Sequence, residues 1–183
     1  MNRVMEVIKS RRSTRKFTDQ PVEKEKIDII LEAGTWAPSA NNMQSWHFTV
    51  VQDEQLIKKM SDVSKENALT SKIEAERKMA SNKNLDVFYG AKTVIVVSAS
   101  GDSKDAITDI SAATQNMLLA AESLGLGSCW NGMKFLFNYL PEHEVLKELH
   151  LPEGVKPYYA VPIGYKAFEG KAPKRIEGNV QYL

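Results

Sequence analysis

The sequence predicts an α+β fold of three layers, with a sheet between helices. Three observations carry this. Apolar residues recur at helical spacing in several long segments. Short β-branched and aromatic runs stand between them. The two kinds do not alternate as strictly as a doubly wound Rossmann domain requires. The 183 residues fit one domain, expected over 1–183, which can bury its core without disulfide or metal staples.

The elements follow in order. Val4, Val7 and Ile8 place a short amphipathic helix over 2–11, with Lys9, Arg11 and Arg12 suiting its negative end. Ser13–Pro21 reads as loop, and 23–35 as a helix with Ile27, Ile30, Leu31 and Gly34 on one side. Pro38 marks a boundary before a run of small and amide residues. Trp46–Gln52 (WHFTVVQ) is a strand, and Asp53 caps a helix carrying Leu56, Ile57, Met60 and Val63. Residues 65–84 are polar and read as an exposed helix or flap. Val94–Val97 is a strand buried on both faces. Asp105–Leu124 is the longest helix, with Ile107, Ile110, Ala113, Met117, Leu118, Ala121 and Leu124 on its apolar face and Gly125 just past its end. Ser128–Trp130 is a short strand, Glu142–Leu149 a helix opened by Pro141, Tyr158–Gly164 a last strand, and the final dozen residues a tail.

Composition narrows the function. There are 24 Lys+Arg against 23 Asp+Glu, so the chain is not a globally basic nucleic-acid binder. The cations gather at the ends: Arg3, Lys9, Arg11, Arg12, Arg15 and Lys16 near the start, and Lys166, Lys171, Lys174 and Arg175 near the finish. The lone Cys129 excludes a disulfide framework and suits a reducing compartment. With no signal peptide or span evident, a cytoplasmic setting without membrane attachment is expected.

Arg11-Arg12-Ser13-Thr14-Arg15 reads either as a solvated helix end or as a phosphate clamp, since guanidinium groups hold phosphate bidentately. The loop Pro38–Gln44 reads either as self-bonded surface or as donors and acceptors facing a heteroaromatic edge. Gly125–Gly132 fails the dinucleotide fingerprint, because its glycines follow a helix and the third is misplaced. His47, His143 and His150 lack metal spacing, and Cys129 reads as a buried small hydrophobe.

Together these segments resemble the nitroreductase family of flavin-dependent oxidoreductases. The marks are R-R-S-x-R-x-F (Arg11 to Phe17), A-P-S-A-x-N-x-Q-x-W (Ala37 to Trp46), G-L-G-S-C-W (Gly125 to Trp130) and a basic tail ending in Arg175. The resemblance implies a central, mostly antiparallel sheet flanked by helices, in a domain-intertwined homodimer with FMN at the interface. A tail of about 166–183 would reach the partner. It implies that Arg11, Arg12 and Ser13 meet the FMN phosphate and ribityl, and that Arg15 sits at the N1–C2=O edge. Pro38, Ser39, Ala40, Asn42 and Gln44 would come from the other subunit. Asn131 and Gly132 match the segment offering an N–H to flavin N5, Lys174 and Arg175 complete the phosphate clamp, and Asn84 matches an asparagine at the pyrimidine edge. No side-chain acid or base is then needed; Arg15 tunes the flavin by stabilising negative charge on the reduced ring.

The implied activity is ping-pong hydride transfer from NAD(P)H, a transient reductant, through N5 to a planar electron-poor acceptor such as a nitroaromatic or quinone. Ser45 stands where the family usually has proline, and Asn131 where an apolar or acidic residue is common. These departures bear on substrate. Two alternatives remain: the same fold in reductive dehalogenation, azoline oxidation or flavin fragmentation, or a non-enzymatic anion-binding protein.

Overall fold

Among the described residues, the β-branched runs pair into one four-stranded sheet, antiparallel throughout, in the order β1-β2-β4-β3. The strands are β1 (Trp46–Val51), β2 (Thr93–Ser100), β3 (Gly127–Ser128) and β4 (Val155–Gly164). The helices are α1 (Arg3–Ser10), α2 (Lys24–Thr35), α3 (Glu54–Ala68), α4 (Glu74–Ala80), α5 (Ala106–Ser123) and α6 (Glu144–Lys147). This computed structural model describes residues 2–100, 105–132 and 143–183. Pro141 and Glu142, expected to open the sixth helix, lie outside them; within them His143 caps that helix by accepting from the Val145 N–H.

Strand β2 explains the layering. Val94 through Val97 are fully buried, because successive side chains leave opposite faces of the sheet and both faces are covered. Ile95, Val97 and Ala99 join Ile27 and Ile30 of α2 and Ile110 and Met117 of α5. Val94 and Val96 join Ile57 and Met60 of α3, Phe88, and Val145 and Leu146 of α6. Helix α2 packs closely: a Cβ on Gly34 would stand 3.0 Å from both Met117 Cγ and Phe48 Cζ.

Helix ends follow their sequence signals. Asp53 accepts from the Gln55 and Leu56 N–H groups at the start of α3. Beyond α5, Gly125 takes φ +77 and donates to Glu122 O, while Leu126 donates to Ala121 O. That is the paired bonding of a Schellman motif.

The structure adds detail to three expectations. Helix α1 has the amphipathic pattern but buries none of its residues, so Val4, Met5 and Ile8 remain exposed. Ile107 falls on the outer side of the first turn of α5 and is exposed. Residues 65–84 take the exposed-helix form of the two expected: they contain the end of α3 and all of α4, mostly exposed, with Ala68 and Ala80 buried.

Candidate functional site

Backbone pairing brings the two ends of the chain to one side of the sheet. Ser13 forms a parallel bridge with Ser128, and the Thr14 N–H donates to Ser128 O at 2.9 Å. Farther along, the Thr18 N–H donates to Tyr165 O and the Ala167 N–H to Lys16 O. Gly127 makes this approach feasible, since a Cβ there would meet Thr14 Oγ1 at 2.5 Å and Lys166 Cγ at 2.8 Å. The arginine-rich segment is thus laid against β3 as an added edge.

Cys129 lies beneath it, 2% exposed. Burial pushes its thiol above the ordinary value, against the opposing pulls of Arg15, the Ser13 hydroxyl and Arg11. The thiol therefore stays neutral at physiological pH. Arg11, Ser13 and Arg15, at alternate positions about the Ser13–Ser128 bridge, lie along the edge beside Cys129. Among the described residues, neither Arg11 nor Arg15 has an acid partner.

Arg12 is used differently. Its guanidinium donates to Ser10 O at 3.0 Å and to Lys9 O, capping the C-terminal carbonyls of α1, while its stem lies against Gly170. Lys166 is also committed, bridging Glu122 at 3.0 Å with both side chains largely buried. The second basic stretch is less positive than its count suggests. Lys174 and Arg175 lie exposed in the tail, with no hydrogen bond or ion pair among the described residues.

The loop Pro38–Ser45 is held by a residue that the sequence reading passed over. Asp109, buried on α5, accepts from the Ala40 N–H at 3.0 Å and from the Ser45 hydroxyl at 3.3 Å. Its only sequence signal is an acid four residues before Ala113 on a buried stripe. Asn41, Asn42 and Gln44 all have positive φ, between 47° and 55°. Asparagine tolerates this conformation; Gln44 does so less readily, and two bonds hold it there. Its N–H donates to Ser39 Oγ at 3.0 Å and its Nε2 to Asn42 Oδ1 at 3.1 Å. Pro38, Asn42 and Gln44 are exposed, and Ser39 and Ala40 half-buried.

The Asn131 N–H donates to Ala160 O at 2.9 Å, and the side-chain Nδ2 to Val87 O at 2.8 Å. Of the pair Asn131 and Gly132, the main-chain donor of Asn131 is therefore spent within the sheet. Both residues border an apolar cavity, whereas Asn84 lies in a turn bordering a separate, polar one. Among the described residues, no group of three His, Cys, Asp or Glu side chains could hold a metal, and no helix is long and apolar enough to cross a membrane.

The comparisons with known proteins identify the fold and the family. A crystal structure of a nitroreductase with bound FMN from Bacteroides fragilis superposes with a TM-score of 0.90 at 31% identity, covering 100% of both chains. A relative from Methanothermobacter thermautotrophicus is 34% identical over 164 residues, 90% of this chain and 78% of its own. An FMN reductase [NAD(P)H] from Bacillus subtilis is 30% identical over 189 residues, 96% of this chain and 71% of its own. The model of the nitroreductase family matches residues 8–165, and the chain belongs to that family.

Proposed function

We propose that the chain is an FMN-dependent NAD(P)H oxidoreductase acting on planar, electron-poor acceptors, assembled as a homodimer in the cytoplasm. The observation that carries this reading is the arginine segment bridged to β3 at Ser13, with no acid among the described residues to neutralise Arg11 or Arg15. Such a donor set fits a flavin nucleotide: cations for a phosphate of charge about −2, and a hydroxyl beside them.

Bound FMN would supply hydride chemistry at N5, accepting from NAD(P)H and delivering to the acceptor in two separate half-reactions. The chain's own residues bind and orient. Arg11 and Ser13 would hold the phosphate and ribityl, with Arg12 behind them shaping the end of α1. Arg15 would place positive charge where the ring gains electrons. Since the Asn131 N–H serves Ala160, Gly132 is the better candidate donor to N5. Lys174 and Arg175 would close the phosphate site, and Asn84 would meet the pyrimidine edge.

Uncovered apolar surface supports the homodimer. Trp36 is 78% exposed, and it borders a groove with Val4 and Val7 of α1 and Leu119 of α5. Ile176, Val180 and Tyr182 of the tail are exposed as well. A partner's loop Pro38–Gln44 would then complete each site.

A visible spectrum tests the reading. The purified protein should be yellow, with bands near about 370 and 450 nm that bleach anaerobically with NADH or NADPH. A colourless protein that takes up no FMN would refute it.

A further inference from the structure

Two cavities meet at the end of α3, and together they define an acceptor class. The first has a volume of about 300 Å³, with Met79, Ala80, Leu85, Val87 and Tyr89 forming an apolar wall and Asn131 and Gly132 one side. Ser64 and Lys65 border it too. The second, of about 420 Å³, is polar, and Lys65 and Leu85 line both. A volume of 300 Å³ suits one or two aromatic rings.

The polar groups at the junction are not all spent. Around the second cavity, Lys58 pairs with Asp62 and Lys92 with Glu54. Asp86 accepts from the Ser61 hydroxyl and from the Phe88 and Gly90 N–H groups. Lys65 and Lys83 have no acid partner among the described residues. Ser64 is buried, 3% exposed, and its Oγ has no hydrogen-bond partner among the described residues. A buried hydroxyl left without a partner is costly, and a ligand that supplies one recovers that cost.

We propose that Lys65 and Ser64 select an acceptor with an apolar aromatic body and an anionic substituent, the body lying in the 300 Å³ cavity and the anion meeting Lys65. This rests on the oxidoreductase reading only in naming the ligand an acceptor; the binding preference stands on the cavity itself. A lysine suits the junction because its four-carbon stem packs on apolar surface while the ammonium reaches the polar side. Lys83 adds charge at the far rim. A reductant's phosphate could use the same cations, but the apolar wall offers nothing to a nicotinamide's ribose and carboxamide.

Calorimetric titration of the purified protein with 4-nitrobenzoate and with neutral 4-nitrobenzamide tests this without requiring turnover. The carboxylate should bind about tenfold tighter. Lys65→Met should abolish the preference and Lys65→Arg should retain most of it. Ser64→Ala should weaken carboxylate binding severalfold. Equal affinities in the wild type, a preference unchanged in Lys65→Met, or no binding of either ligand would each overturn the proposal. A raised KM for NADPH in Lys65→Met, with the carboxylate preference intact, would assign the cation to the reductant and overturn it as well. Flavin bleaching by NAD(P)H, followed on the same preparations, tests the oxidoreductase reading separately.

Discussion

At the scale of single residues, the site rests on charges left unneutralised. Removing Arg15 would leave the fold intact, since its side chain is exposed and has no acid partner among the described residues. Arg15→Ala should therefore keep its melting temperature while lowering the reduction potential of bound flavin by some tens of millivolts, on the scale where 30 mV is about 1.4 kcal/mol. Spectroelectrochemical titration measures this, and an unchanged potential would remove Arg15 from the ring edge. Cys129 gives a pH prediction. Burial raises its folded pKa above the unfolded value of about 9.0, so above that pH the unfolded chain releases a proton that the folded chain keeps. The thiol's contribution is whole below pH 9 and is lost as pH rises through the folded value. Urea melts between pH 8 and 10.5 should show wild-type stability falling more steeply than that of Cys129→Ala, by at most about 1.4 kcal/mol per pH unit. Parallel slopes would contradict a buried, protonated thiol.

At the scale of elements, Asp109 joins α5 to the loop before β1. Asp109→Ala would strand the Ala40 N–H and the Ser45 hydroxyl, costing about 1–3 kcal/mol, while Asp109→Asn keeps an acceptor and should cost less. Chemical denaturation ranks the two variants, and their equality would mean that the loop is held by Ser39, Asn42 and Gln44 alone. What the sequence made legible divides along the same line. Helix α5 and strand β2 could be read directly because their apolar periods are strong and their ends carry Gly125 and Lys92-Thr93. The arginine and glycine segments could be read as motifs, yet not their contact, because Ser13 and Ser128 meet only through tertiary pairing. Asp109 and Ser64 could not be singled out: a buried acid and a buried serine look like any polar residue until their neighbours are known. Arg12 and Lys166 counted as free cations in composition, whereas packing gave them to helix carbonyls and Glu122.

At the scale of the whole molecule, much apolar surface on α1 and the tail has no cover among the described residues. Light scattering should give twice the 20.5 kDa mass of a single chain. Deleting residues 168–183 should shift the protein toward monomer and weaken FMN retention together, since Lys174 and Arg175 leave with Ile176, Val180 and Tyr182. Ultracentrifugation and the absorbance of retained flavin follow both. A truncated protein that remains a tight, fully yellow dimer would show that the tail is dispensable to each.

The pairing of Thr14 with Ser128, and of Thr18 and Lys16 with Tyr165 and Ala167, also governs the order of assembly. The arginine segment leaves the ribosome well before its backbone partners, since Thr14 and Ser128 stand 114 residues apart in the chain. The arginine segment is thus late to settle, and the long loop its pairing closes is a slow, entropically costly step. Until then the cations stay on an unanchored strand, and the growing polypeptide has no ready-made phosphate cradle. Cofactor capture would be a late event in the protein's life, a property of the finished chain rather than a guide to its folding.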